Sequence, residues 1–191
     1  MSISLAKGQR LSLEKESGRA LNKIIMGLGW DPVKRKGWFG GGSTAIDLDA
    51  SCLVFNAQNA LADAVWFGQL KSKDGSIVHT GDNRTGDGDG DDEQIIVHLS
   101  DIPASVSSMI FVINSFRGQT FDKIENAFCR IVDADNNKEL MRYDLSDKGR
   151  HTGLIMVKIY RKDGGWKVHA IGEKCHGRTF HEMLPDVATW L

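Results

Sequence analysis

The chain has few cysteines, no long apolar run and almost no net charge, and each shortage excludes something. Cys52, Cys129 and Cys175 are three in number and widely spaced. An odd, unpatterned set does not make a disulfide framework, and Cys52 and Cys129 fall inside apolar runs, where a free thiol packs as a small hydrophobe. That usage points to a reducing cytoplasm. The first residues, Met1-Ser2-Ile3-Ser4-Leu5-Ala6-Lys7, alternate apolar and polar and lack the apolar centre of a secretory signal. No stretch approaches the roughly 20 apolar residues that a membrane-spanning helix needs. The formal net charge is -1 and the isoelectric point about 6.6, without the basic stripe of a nucleic-acid-binding protein. Lys34-Arg35-Lys36 is a short basic run that reads as a solvated loop face.

What is present is a β pattern. With 191 residues, 41% of them hydrophobic, the chain can bury roughly 70% of the surface its unfolded form would expose, enough for one domain over 1–191. Stretches rich in Val, Ile, Phe and Thr recur between turn residues, which predicts an all-β sandwich of two mostly antiparallel sheets. Strands are expected near 3–13, 22–30, 46–56, 64–70, 76–81, 93–100, 108–115, 127–133, 140–145, 153–161 and 165–172. Asp163-Gly164-Gly165 and Lys73-Asp74-Gly75 read as hairpin turns, and Asp133-Ala134-Asp135-Asn136-Asn137 as another. Helix is scarce: a turn or two over 121–126, and a short C-terminal helix from Thr179 that Pro185 should interrupt or start. Gly37-Trp38-Phe39-Gly40-Gly41-Gly42 predicts an irregular loop whose aromatic pair packs on the sheet.

The near-zero net charge hides an asymmetry. Residues 81–93 carry five Asp and one Glu against one Arg, a local charge of -5, so the remainder is about +4. Carboxylates about 5 Å apart repel by roughly 3 kcal/mol at an effective dielectric of 20, so a cation is expected among them. Gly86, Gly88 and Gly90 alternate with Asp87, Asp89 and Asp91 and allow the backbone to turn sharply, so that side chains and carbonyls converge. An oxygen-only set suits Ca²⁺; Mg²⁺ demands stricter octahedral geometry, and zinc would want His or Cys. The register fails as an EF-hand: counting from Asp82 puts Arg84 and Gly86 at the third and fifth positions, and counting from Asp87 puts Asp92 where glycine is required. Two further acidic sites lie at strand ends, Asp31 and the pair Asp47 and Asp49, which as alternate strand residues share a face.

The run Gly81-Asp82-Asn83-Arg84-Thr85-Gly86-Asp87-Gly88-Asp89-Gly90-Asp91-Asp92-Glu93 resembles the signature of the tellurium-resistance TerD-like family of bacterial stress proteins. Ser4-Leu5-Ala6-Lys7-Gly8, Gly27-Leu28-Gly29-Trp30-Asp31, Asp47-Leu48-Asp49-Ala50, Arg142-Tyr143-Asp144-Leu145, Gly165-Trp166-Lys167 and Ala170-Ile171-Gly172 match in the family's order. The resemblance implies a β-sandwich binding two calcium ions in adjacent sites at one end, and a role in tolerance of tellurite and other stresses, phage and colicins. It makes Asp31, Asp47, Asp49, Asp82, Asn83, Asp87, Asp89, Asp91, Asp92 and Glu93 the candidate ligands. It does not settle a biochemical mechanism; the expectation is a cytoplasmic, non-enzymatic module whose calcium-locked loops present a surface to other stress-response proteins, at the inner face of the membrane as the resemblance suggests. The chain departs from the family in its glycine-rich segment 37–42 and in Glu173-Lys174-Cys175-His176.

Two enzymatic alternatives compete. In a haloacid-dehalogenase-type phosphatase, Asp47 and Asp49 would be nucleophile and acid and Asp82 a Mg²⁺ ligand, but that chemistry requires a doubly wound α/β fold. Cys175-His176 with His181 is too small a set to complete a tetrahedral metal site.

Overall fold

The computed structural model describes residues 2–32, 47–81, 90–144 and 149–191. The chain is built from β1 (Ile3–Ser4), β2 (Arg10–Ser12), α1 (Leu13–Ser17), β3 (Lys23–Pro32), β4 (Leu48–Asn56), β5 (Leu61–Val65), β6 (Ile77–His79), β7 (Glu93–His98) and β8 (Val106–Ser115). A 3₁₀ turn (Phe121–Lys123), β9 (Ile124–Asp133), β10 (Lys138–Asp144), β11 (Gly153–Lys162), β12 (Gly165–Cys175) and α2 (Phe180–Ala188) follow. Two six-stranded sheets result, ordered β1-β10-β9-β3-β7-β6 and β2-β12-β11-β8-β4-β5. Every pairing is antiparallel except β1 with β10. The expected sandwich is therefore observed.

The strand periods explain which faces are covered. In β7, Glu93, Ile95 and Val97 alternate inward with the more exposed Gln94, Ile96 and His98, the period-2 signature of a sheet with one wet face. β8 instead contains Met109-Ile110-Phe111-Val112-Ile113, all buried. Met109, Phe111 and Ile113 join the core between the sheets, while Ile110 and Val112 meet Phe180, Met183 and Val187 of α2 on the opposite face. The second sheet is thus covered on both sides, with α2 as a third layer.

Two expectations are corrected. The strand expected over 3–13 is two short strands in different sheets, followed by a helix. Gly8 adopts φ +83, and the segment stitches the sheets together: the Leu5 amide donates to the Arg142 carbonyl at 2.7 Å and the Gly8 amide to the Ala170 carbonyl at 2.7 Å. α1 ends at Gly18, whose φ of +77 is left-handed, as helix ends favour. Pro185 neither starts nor interrupts α2 but lies inside it. Its solvent-facing position leaves the carbonyl it frees on the wet side. Burying Phe180, Met183 and Val187 contributes about 1.5–3 kcal/mol each, more together than the roughly 3 kcal/mol an interior proline costs.

The hairpin turns form as expected. Asp163 and Gly164 both adopt positive φ (+56 and +77) between β11 and β12, the geometry of a two-residue primed turn. Asn137 (φ +55) closes the β9–β10 turn, and Gly75 (φ +80) the turn before β6. All three cysteines are free and buried; burial pushes the Cys52 thiol far above its ordinary value and those of Cys129 and Cys175 up to about 12. They are packing groups rather than nucleophiles.

Candidate metal centre

The chain leaves β3 at Pro32 and returns at Leu48, and leaves β6 at His79 and returns at Glu93. These ends lie together, because Glu93 on the first sheet reaches the Ala50 amide on the second at 2.7 Å. β5 joins β4 only from Cys52 onward, so the Ala50 amide has no strand neighbour on that side and the carboxylate takes the place of one. The two connections that carry the glycine-rich and acidic segments therefore open from a single end of the sandwich.

The first sheet sorts the carboxylates of this end. Asp91 receives Arg130 in a two-pronged pair (Nε to Oδ1 2.7 Å, Nη2 to Oδ2 3.1 Å) and the Gln94 amide at 3.0 Å. Asp91 thus anchors the acidic segment to the outside of the sheet. The glycines of Gly27-Leu28-Gly29-Trp30-Asp31 make this crossing possible. A methyl on Gly27 would stand 2.3–2.5 Å from the Asp91 carboxyl atoms, and one on Gly29 would stand 2.5 Å from the Phe128 ring and 2.6 Å from the Gly90 carbonyl.

Asp92 turns the other way. Its amide donates to the Leu28 carbonyl at 2.7 Å, and its carboxylate accepts the Trp30 amide at 2.8 Å. The β3–β9 register shifts between Gly29 and Asp31, and past this bulge Asp31 accepts the Asn126 side-chain amide at 2.8 Å, with Asn126 at φ +52. Burial holds the Asp92 carboxyl above its ordinary value, the Trp30 hydrogen bond opposes this, and Asp31, Glu93 and Asp91 add repulsion. Like charge from Asp31, Glu93 and Asp91 is thus brought to bear on Asp92.

Glu93 occupies a core position, 1% exposed. Beside it stands His79, a residue that sequence spacing did not single out. Its Nδ1 accepts the Gly81 amide at 3.1 Å, so a neutral ring carries its proton on Nε2, which lies 3.4 Å from a Glu93 carboxylate oxygen. The alternation Ile77-Val78-His79 placed His79 inward with Ile77, the one signal that could have found it.

The second sheet holds Asp47 and Asp49, both buried and on one face as expected, the face covered by α2. Asp47 pairs with Arg117 at 3.2 Å. Asp49 accepts the Asn114 side-chain amide at 3.0 Å, and the same amide donates to the Arg178 carbonyl at 2.8 Å. Asp31, Asp92 and Glu93 belong to the first sheet's end, whereas Asp47 and Asp49 face away from the core on the second. No group of three or more His, Cys, Asp or Glu able to hold a metal is assembled among the described residues. Asp82, Asn83, Asp87 and Asp89 lie outside them, as do Lys34-Arg35-Lys36 and the glycine-rich 37–42 with Trp38 and Phe39. The phosphatase alternative is not favoured: Asp47 and Asp49 stand on an antiparallel sandwich, without the parallel sheet and crossover helices such a site requires.

The TerD domain matches residues 1–186 of this sequence. The chain belongs to the TerD domain family. Within it, the chain is 49% identical to the tellurium resistance protein TerZ of Serratia marcescens, covering 98% of this chain and 97% of that protein. It is 46% identical to the stress response protein SCP2 of Bacillus subtilis, over 96% and 98%. Among solved structures, SAV2460, a protein of unknown function, superposes with a TM-score of 0.71 at 23% identity over 87% of this chain and 98% of its own. SCO6318 of Streptomyces coelicolor, a homologue of the telluride resistance protein TerD, gives 0.68 at 21% over 83% and 92%. At those identities the structural likeness speaks to the fold. Two of the quoted motifs, Gly27–Asp31 and Asp47–Ala50, fall at this end of the sandwich.

Proposed function

We propose that this chain is a calcium-binding module of the bacterial stress response, acting by interaction rather than catalysis. The observation that carries the reading is the repulsive set at one end of the sandwich, where Asp31, Asp92 and Glu93 meet the return of the acidic segment. The donors there are all oxygen, the class a hard cation of six to eight ligands takes. Asp31, Asp92 and Glu93 would serve from the first sheet and Asp47 and Asp49 from the second. Asp82, Asn83, Asp87 and Asp89 would complete two sites, with Asp91 holding the segment through Arg130. Bound calcium would neutralise these charges and fix both connections, making a surface for other stress proteins in the cytoplasm, at the inner face of the membrane. The names of the relatives, tellurium resistance and stress response proteins, agree with such a role. The test is calorimetric titration of metal-stripped protein. The expected result is uptake of two Ca²⁺ in preference to Mg²⁺, and no uptake at millimolar calcium overturns the reading.

A further inference from the structure

We propose that a pocket on the α2-covered face of the second sheet, away from the acidic end, binds a small phosphorylated ligand with a planar ring, of the nucleoside monophosphate class. The argument starts from strand register. Arg10 on β2 stands opposite His169 on β12, which stands opposite Lys158 on β11. Three basic side chains therefore lie abreast across three strands, and like charges directly opposite one another destabilise a sheet. Tyr160 and Lys162 follow Lys158 at two-residue intervals along β11 and share its face.

Trp190 flanks the pocket from beyond the end of α2. Its carbonyl accepts the Lys158 ammonium at 2.8 Å, and its ring lies 5.8 Å from that of His169. The pocket is an open depression of about 440 Å³, lined by Arg10, Lys158, Tyr160, Lys162, His169 and Trp190 among others. No carboxylate of the described residues lies within 4.0 Å of Arg10, Lys158 or Lys162. Burial lowers the pKa of Lys158 and of His169, and the Arg10 charge lowers both further. Among the described residues, the fold thus holds Arg10, Lys158 and Lys162 side by side with no ion-pair partner within 4.0 Å. Part of the surplus of about +4 outside the acidic segment collects here.

The lining selects the ligand's chemistry. An arginine fork and two ammonium groups suit a phosphate, and the Tyr160 and Trp190 side chains that line the pocket, with Lys158 over the Tyr160 ring at 5.8 Å, supply aromatic surface for a planar heterocycle. Pockets for small organic ligands run from about 300 to 1,000 Å³, and this one lies near the lower bound, the size of one mononucleotide rather than of a chain.

The test is titration of the full chain with adenosine monophosphate in the presence of a metal chelator, by calorimetry and by Trp fluorescence. Saturable one-to-one binding is expected, with a fluorescence change that disappears in Trp190→Phe. Inorganic phosphate and adenosine each lack half of the contacts and should bind about tenfold or more weaker; Arg10→Gln and Lys158→Gln, on different strands, should each weaken the nucleotide similarly. Absence of saturable binding overturns the proposal. Phosphate binding as tightly as the nucleotide, a single-stranded oligonucleotide binding more tightly than either, or indifference to both variants also overturns it.

Discussion

Asp92 is held between two demands. Its carboxyl is kept above the ordinary value of 3.8, first by burial and then by Asp31, Glu93 and Asp91. In metal-free protein the native state therefore binds this proton more tightly than the unfolded chain. The group destabilises at neutral pH, and that penalty is relieved as pH falls through the raised native value toward 3.8. A calcium ligand must be ionised, so acid weakens metal binding at the same position. Asp92→Asn keeps an oxygen for the Trp30 amide while removing the charge. We expect it to raise the melting temperature of chelated protein, by about 2–4 °C per kcal/mol of repulsion relieved, and to shrink the rise that calcium produces. Thermal melts with calcium and with chelator check both halves, and an Asn variant that melts lower in chelator contradicts the first. Gly27 offers a second test at this scale. Its Cα lies under the Asp91 carboxylate, so Gly27→Ala should displace the Asp91–Arg130 pair and cost about 1–3 kcal/mol, the range for overpacking, measured by urea unfolding.

Among the elements, α2 sets local propensity against tertiary burial. Pro185 removes one backbone hydrogen bond from a nine-residue helix, yet the helix persists because Phe180, Met183 and Val187 cover Ile110, Val112 and Ile155. Pro185→Ala should restore the bond and stabilise by about 1–2 kcal/mol, somewhat less than the full propensity difference because alanine also frees the unfolded chain. Met183→Ala, at a position with 0% exposure, should destabilise by about 2–5 kcal/mol. Urea midpoints of the two variants should thus move in opposite directions. β7 makes the same point for strands: its alternation was legible, but a carboxylate at the first inward position is tolerable only because Ala50, on the other sheet, presents an amide to it.

For the whole molecule, the two ends of the charge distribution are separated, with carboxylates where β3, β4 and β7 meet and basic groups along β2, β12 and β11. Calcium at about 100 times its dissociation constant should stabilise the fold by about 2.7 kcal/mol per site, a shift in melting temperature of roughly 5–10 °C, and an unchanged melt would contradict a bound ion. By itself the sequence determined the all-β class, the hairpins at Asp163-Gly164 and Asn137, the packing of Cys52 and Cys129, and the local charge of -5, because turn chemistry, period-2 alternation and composition act between near neighbours. Only the tertiary structure decided that residues 3–13 divide between two sheets, that Pro185 sits inside a helix, and that Asp91 belongs to Arg130 while Asp92 faces Trp30. It alone brought His79 to Glu93 and set Arg10, His169 and Lys158 abreast. Each of those depends on which distant strand lies alongside, and strand register across a sheet is fixed by the burial of the whole core rather than by any spacing along the chain.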